Sequence, residues 1–380
     1  MIRMKFGFFA AFFVTLAAAV LLTSCKAVDE SVSQPQSGQS TEAAAEQLDY
    51  VFYTLNDKEK ETYSDMIGAV NRRENEFPFP EDFDSDEMRK LFTLLYTQQE
   101  RIFWLDSRFY CDDEQRMLYF MYRYDEEQTD RMRVALDLEA GKIIAGFGQD
   151  TDDYEKLLAI HDAIVLSCTF SENGSNAATA YGALVDGSAM CEGYAFAFSY
   201  LCTAAGIENY VVSGSNEKGE PHLWNKAVCG GEWYNVDCTW DDPILKDENE
   251  KFLRHDYFLV SDDEINGISH FPDTEYLPSV PCTDGNGNYF VRSGLYFDNY
   301  TDGLAALSAS IKEAARNGSG EAEIRFDNEE AFSEVCSYLY DRQGLKEIIE
   351  ELNANDGLKI SSAHHIENSS LYVIHISLIF

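Results

Sequence analysis

Two strand-like runs, PHLWNKAVC at 221–229 and EWYNVDCTWDD at 232–242, are separated only by Gly230 and Gly231. A Gly-Gly connection this short calls for a tight antiparallel hairpin, because the turns that join adjacent strands need positive φ at their central residues. Such a turn sets the register: Cys229 faces Glu232, Trp224 faces Asp237 and His222 faces Thr239. Opposed residues and alternate residues share one side of a sheet. His222 and Asp237 are therefore diagonal neighbours on one face, with Cβ atoms about 7 Å apart or less. An imidazole and a carboxylate can hydrogen-bond across that gap. A slip of one residue would send them to opposite faces. Cys229 and Cys238 fall on the other face, separated along the strands by about 20 Å, which is too far for a disulfide between them.

A second stretch, GSAMCEGYAFAF at 187–198, sets a cysteine where a turn hands over to a helix. Asp186-Gly187 is a turn signal, Ser188 is a candidate N-cap, and the helix runs to Gly206 as its C′ residue. Cys191 is then expected in the first helical turn, where backbone N–H groups lack partners and the helix dipole favours a thiolate. His222 could take the thiol proton, and Asp237 could fix the imidazole tautomer and support its charge. The N–H of Cys191 is a ready oxyanion donor. Each residue alone has a bland reading. A cysteine in an Ala/Phe/Tyr-rich helix is usually a small core residue, as Cys202 is expected to be. A lone strand histidine is usually structural, and Asp237 alone could serve a turn. The order Cys, His, Asp on a turn–helix and a hairpin is more specific than any of the three.

Those residues carry a resemblance. AMCEGYAFAFSYLCTAAGI, HLWNKAVCGGEWYNVDCTWDDP and the trailing YFLVSDDEI…H resemble the core of the bacterial transglutaminase-like superfamily, a branch of the papain-like cysteine fold. The likeness covers residues 177–285, with a weaker upstream match in YEKLLAIHDAIV, and says little about 286–380. It implies an α+β fold in which a helix bearing Cys191 packs on an antiparallel sheet bearing His222 and Asp237. By the motif match Cys191 is the nucleophile, His222 the base and Asp237 the orienting acid. Met190, Leu223 and Cys238 depart mildly from the motif, and none removes a catalytic group. Trp224 and Asn225 are expected to support the site, Trp224 by roofing the His/Asp pair. Trp240, Asp241 and Asp242 are expected to hold the loop leaving the second strand. Tyr181 is a candidate side-chain oxyanion donor.

The N-terminus has the layout of a secretory signal: Arg3 and Lys5, an apolar run from Phe6 to Leu22, then small residues. Leu22-Thr23-Ser24-Cys25 resembles the lipobox of bacterial lipoproteins, which implies cleavage before Cys25 and a lipid anchor on it. A plain secreted chain with a chance cysteine is the alternative. Residues 1–24 are thus expected to be a signal peptide and 25–47 a flexible lipid-anchored linker. The protein would be extracytoplasmic and held to the cell membrane through Cys25. With 29 basic against 67 acidic residues and a formal charge of −38, the chain is a poor match for nucleic acid. Its nine cysteines carry no C-x-x-C spacing, so no dense disulfide framework is expected.

The remaining boundaries divide an N-terminal accessory region at 48–145, the core at 146–285 and a C-terminal α/β accessory domain at 286–380. Residues 48–100 are predicted to be largely helical, broken at Pro78 and Pro80, and 115–146 are predicted as strands around polar turns. A helix is predicted over DTDDYEKLLAIHDAIVLSC, with Leu157, Ile160, His161, Ile164 and Val165 on one face. No metal or cofactor is expected. DGNGN at 284–288 lacks the later ligands of a calcium loop, and His364-His365 has no third ligand at zinc spacing.

Three functions remain. The first is a surface-tethered thiol enzyme acting on a peptide or protein substrate at the cell envelope. It forms an acyl-enzyme and passes the acyl group to water, as a peptidase or amidase, or to an amine, as a transglutaminase. Hydrolysis is favoured because water is present at about 55 M and transfer needs a site that excludes it. The second is a non-catalytic module that binds proteins or wall polymers. The third assigns the function to the flanking regions, with the enzyme auxiliary.

Overall fold

The structure, a computed structural model, describes residues 50–243 and 252–380. The segments expected to be a signal peptide, 1–24, and a linker, 25–47, with Cys25, lie outside the described residues. No helix among the described residues is long and apolar enough to cross a membrane.

Helix α1 (Asp57–Asn71) opens on a capping box in which Asn56 and Glu59 satisfy each other's backbone N–H groups. Strand β1 (Glu76–Pro78) follows, and α2 (Ser85–Gln98) starts from a second capping box at Asp84 and Glu87. Strands β2 (Leu105–Asp112) and β3 (Met117–Tyr122) complete a three-stranded antiparallel sheet in the order β1-β3-β2. The strand prediction for 115–146 holds only as far as Tyr122. Residues Glu126–Ile144 form a 19-residue helix, α3. Asp125 and Gln128 supply its capping box, a start signal that outweighs the β-prone residues just before it.

Helix α4 (Asp153–Ser167) buries Leu157, Ile160, His161, Ile164 and Val165, the predicted face. Helix α5 (Cys191–Ala205) buries ten consecutive residues from Gly193 to Cys202 and stops at Gly206, whose φ of 74° is the left-handed cap. Strands β4 (Asn209–Asn216), β5 (Pro221–Cys229), β6 (Glu232–Val236), β7 (Phe258–Val260) and β8 (His270–Pro272) form an antiparallel sheet in the order β8-β4-β5-β6-β7. Gly230 and Gly231 both have positive φ, and Cys229 pairs with Glu232, the register that the two-glycine turn requires.

The fold is α+β: α5 packs on this antiparallel sheet, and Asn225 of β5 donates from Nδ2 to the Ala195 carbonyl of the helix at 3.0 Å. One hydrophobic core runs from Val51 to Leu259, so the N-terminal helices and the cysteine-bearing helix share it. Tyr200 of α5 donates to the Asp137 carboxylate of α3, tying them further. A boundary near residue 145 does not divide this core.

The last part has a core of its own, from Leu307 to Leu378. Strands β9 (Tyr296–Phe297), β10 (Glu321–Phe326), β11 (Ser362–Asn368) and β12 (Val373–Ile379) form a sheet in the order β9-β10-β12-β11, with only β9 and β10 parallel. Helices α6 (Tyr300–Asn317), α7 (Glu329–Cys336) and α8 (Gly344–Asn355) bury their apolar faces in the same core.

Candidate active site

Cys191 is the first residue of α5 and is half-buried. The helix start is not capped by Ser188. Met190 is the N-cap, without a side-chain hydrogen bond, while Ser188-Ala189 pairs with Thr169-Phe170 as a short parallel ladder. Tertiary contacts set this end: Met190 N–H donates to the Ala177 carbonyl at 3.0 Å. Gly193 makes the close approach possible. A Cβ there would lie 2.5 Å from Ala177 O and 2.7 Å from Ala189 Cβ. Cys191 thus remains in the first helical turn, where backbone N–H groups have no intrahelical acceptor.

The hairpin brings His222 to Asp237, with Nε2 2.6 Å from Oδ2 and both residues buried. The thiol of Cys191 is close enough to the ring to favour its charged form, and Nδ1 is the nitrogen that does not face Asp237. Burial opposes charge on His222, but the Asp237 carboxylate and then Cys191 outweigh it, and the imidazole pKa is raised to about 10. Asp237 is fully enclosed, which by itself would favour its neutral form. His222 and a second histidine, His270, hold it well below the usual carboxylate range instead.

His270 is a neighbour of Asp237 to which the sequence assigns no role. Its Nε2 lies 2.9 Å from the same Oδ2 of Asp237, and its Nδ1 lies 2.8 Å from Ser269 Oγ. Oδ1 of Asp237 accepts from the backbone N–H groups of Thr239 and Trp240 at 2.9 and 3.2 Å. The carboxylate therefore takes four hydrogen bonds, which suits a permanently ionised orienting acid. The only trace of His270 in the motifs is the last letter of YFLVSDDEI…H, 33 residues beyond Asp237.

Trp224 stacks near-parallel to the His222 ring at 6.0 Å, and Trp240 lies 5.6 Å from it, tilted by 40°. Both indoles also meet His270, each at 4.8 Å. Gly214, opposite His222 on β4, leaves room for Trp224, whose ring a Cβ would meet at 2.8 Å. Asn225 supports α5 rather than the imidazole. Asp241 is fully buried and accepts from Tyr257 N–H and His161, while Asp242 accepts from Tyr194, so both hold the loop after β6. Tyr181 lines a hollow with Tyr124, Gln128 and Asn176 that contains none of Cys191, His222 or Asp237. Nothing there assigns it the oxyanion.

The other cysteines behave as packing residues. All eight in the described part are free thiols. Burial raises the pKa of Cys202 and Cys238 well above the ordinary thiol value. Among the described residues, two clusters have donor atoms close enough to hold a metal ion: His222, Asp237 and His270, and His161, Asp162 and His255.

A thiol at a helix N-terminus, an imidazole beside it and a buried carboxylate behind it are the parts of a papain-like centre. Residues 142–238 match the sequence model of the transglutaminase-like superfamily. The chain carries a transglutaminase-like domain. This superfamily includes cysteine peptidases and transglutaminases. Kyphoscoliosis peptidase of Mus musculus and of Homo sapiens are each 29% identical to the chain over 98 residues. That match covers 22% of this chain and 15% of each relative. Among solved structures, one described as a TGase aligns over 51% of this chain and 56% of its own, with 15% identity and a TM-score of 0.27. The periplasmic domain of TgpA from Pseudomonas aeruginosa aligns over 29% of this chain and 44% of its own, with 21% identity and a TM-score of 0.23. The transglutaminase-like domain thus accounts for the segment that holds Cys191, His222 and Asp237 but not for His270, which lies beyond it.

Proposed function

We propose that the chain is a cysteine enzyme that forms a thioester acyl-enzyme from a peptide or amide and hydrolyses it, acting as a peptidase or amidase. The observation that carries this reading is the short His222–Asp237 contact at 2.6 Å, with Cys191 close enough to the same ring to favour its charged form. Cys191 transfers its proton to Nδ1 of His222, and the thiolate attacks the substrate carbonyl carbon. The Cys191 N–H donates to the oxyanion that forms. Collapse of the tetrahedral intermediate breaks the C–N bond, and the imidazolium returns its proton to the leaving amine. His222 then takes a proton from water, hydroxide adds to the thioester, and the acid leaves with regeneration of the thiol. Asp237 remains ionised throughout and holds the ring.

An amine in place of water would complete the same cycle as a transamidation. Hydrolysis is the favoured outcome because water is present at about 55 M and no feature of the described residues excludes it selectively. We place the enzyme outside the cytoplasm, tethered through Cys25, on the lipobox-like Leu22–Cys25 sequence.

The test is alkylation of Cys191 followed by mass spectrometry across pH, beside His222→Ala. Rapid labelling that persists below about pH 6 and is lost in the variant is expected for a thiolate–imidazolium pair. Labelling that rises only near pH 8.5, as for an isolated thiol, would overturn the assignment. Incubation of a peptide amide with and without a primary amine then separates hydrolysis from transfer.

A further inference from the structure

The second histidine cluster lies where α4 and the segment before β7 meet the C-terminal sheet. His161, fully buried on α4, has Nδ1 3.0 Å from Asp162 Oδ1 and Nε2 3.1 Å from Asp241 Oδ2. His255, also buried, has Nε2 3.1 Å from the same Asp162 oxygen and Nδ1 2.8 Å from Glu323 Oε1 of β10. Two imidazoles therefore aim one nitrogen each at a single carboxylate, and each has its far nitrogen held by another carboxylate.

Metal-binding histidines are oriented in this way: a carboxylate on the distal nitrogen fixes the tautomer and strengthens the donor. The donor atoms of His161, Asp162 and His255 all lie within 4.8 Å of one another. Ligand atoms on a tetrahedral ion with bonds near 2.0 Å are about 3.3 Å apart, so the two 3.0–3.1 Å contacts need to open by only a few tenths of an ångström. Tyr289 stacks on the His255 ring at 3.8 Å and 9°, which restrains it further. The Asp162 side chain is 29% exposed, giving an ion a route in and a position for water.

We propose that His161 Nδ1, His255 Nε2 and the Asp162 carboxylate form a divalent transition-metal site, separate from Cys191, with zinc the best-matched ion. Two imidazoles and one carboxylate suit zinc or cobalt, whereas calcium and magnesium call for oxygen ligands. Asp241 and Glu323 form its outer shell. The site is structural. It joins α4, which packs beside the cysteine helix, to the chain before β7 and, through Glu323, to the C-terminal sheet. Carboxylates accept and do not donate, so each ring carries a proton on the nitrogen facing Asp162. Binding replaces those two protons by one divalent ion, leaving the charge of the cluster unchanged.

The full-length chain, stripped with a chelator, would be titrated with Co2+ and with Zn2+. The expected result is one equivalent bound, absorption typical of four-coordinate Co2+ with no thiolate charge-transfer band, and two protons released per Zn2+. His255→Gln and Asp162→Asn should each weaken binding more than the about 10–100-fold expected for the outer-shell change Glu323→Gln, while His222→Gln retains it. Circular dichroism would verify that the variants fold. If either ligand variant fails to fold, the stoichiometry and proton count of the unaltered chain decide. Binding well below one equivalent, binding unchanged in folded His255→Gln and Asp162→Asn, loss in His222→Gln, or a thiolate band would overturn the proposal.

Discussion

His222 and His270 direct their Nε2 atoms at one oxygen of Asp237, at 2.6 and 2.9 Å. Sharing that oxygen divides the negative charge that the carboxylate presents to His222. In the proposed cycle His270 is therefore a positioning residue, acting on the base through the acid. His270→Gln is expected to lower kcat by on the order of tenfold to a hundredfold, less than the loss of an acid–base group itself, with little change in KM. The alkaline limb, where His222 loses its proton, should move to higher pH because Asp237 then acts on His222 alone. A steady-state pH profile checks this, and an unshifted limb would leave His270 a merely structural neighbour.

Cys191, His222 and Asp237 act as one unit in the proposed cycle. Cys191→Ala should abolish acyl-enzyme formation. Asp237→Asn, which spoils the tautomer, should reduce kcat by roughly 10⁴. The double variant His222→Ala with Asp237→Asn should be little worse than His222→Ala alone, since the residues serve the same step. Single-turnover acylation followed by mass spectrometry reads all three. Additive losses would mean that the two side chains work independently.

The same pair makes stability depend on pH. His222 is raised to about 10 in the fold, against about 6.5 when unfolded. Its contribution is complete below about pH 6.5 and is lost as pH rises through 10. Asp237 is lowered by folding, so its contribution is present above about pH 4 and fades as acid protonates the folded carboxylate. Asp237→Asn should therefore cost on the order of 3 kcal/mol, most between about pH 4 and 6.5. The difference should narrow towards pH 10. Urea unfolding at several pH values measures it, and a difference independent of pH would contradict the ionic pairing.

Gly193→Ala tests how Cys191 is held. The added Cβ would sit 2.5 Å from Ala177 O, a backbone atom that cannot swing aside. The first turn of α5 must shift, at a cost of about 1–3 kcal/mol. Activity should fall by more than the stability loss explains, because the thiol moves with the turn. Comparison of Cys191 alkylation rate with urea midpoint separates the two effects. A variant with normal labelling would show that the turn tolerates the side chain.

Features encoded over a few residues are legible in the sequence. Gly230-Gly231 sets the register that brings His222 to Asp237, since both residues lie on the two strands that the turn joins. Gly206 stops the cysteine helix because its φ of 74° is cheap only for glycine. Helix α3 had its own local signal, the Asp125–Gln128 capping box, but the alternating residues before it suggested strands. Ser188 looks like a cap, yet Met190 takes that place because Ala177 and the Thr169–Phe170 ladder pin the chain there. The core that unites Val51 with Leu259 is formed by contacts between elements far apart along the chain. His270 reaches Asp237 across 33 residues, and His255 reaches Asp162 across 93 and Glu323 across 68. By itself the sequence determined the cysteine-bearing helix, the hairpin and the diagonal pair, because turn chemistry and strand periodicity are local. Only the tertiary structure decided which distant histidines share those carboxylates, since nothing in the spacing encodes how separate elements pack.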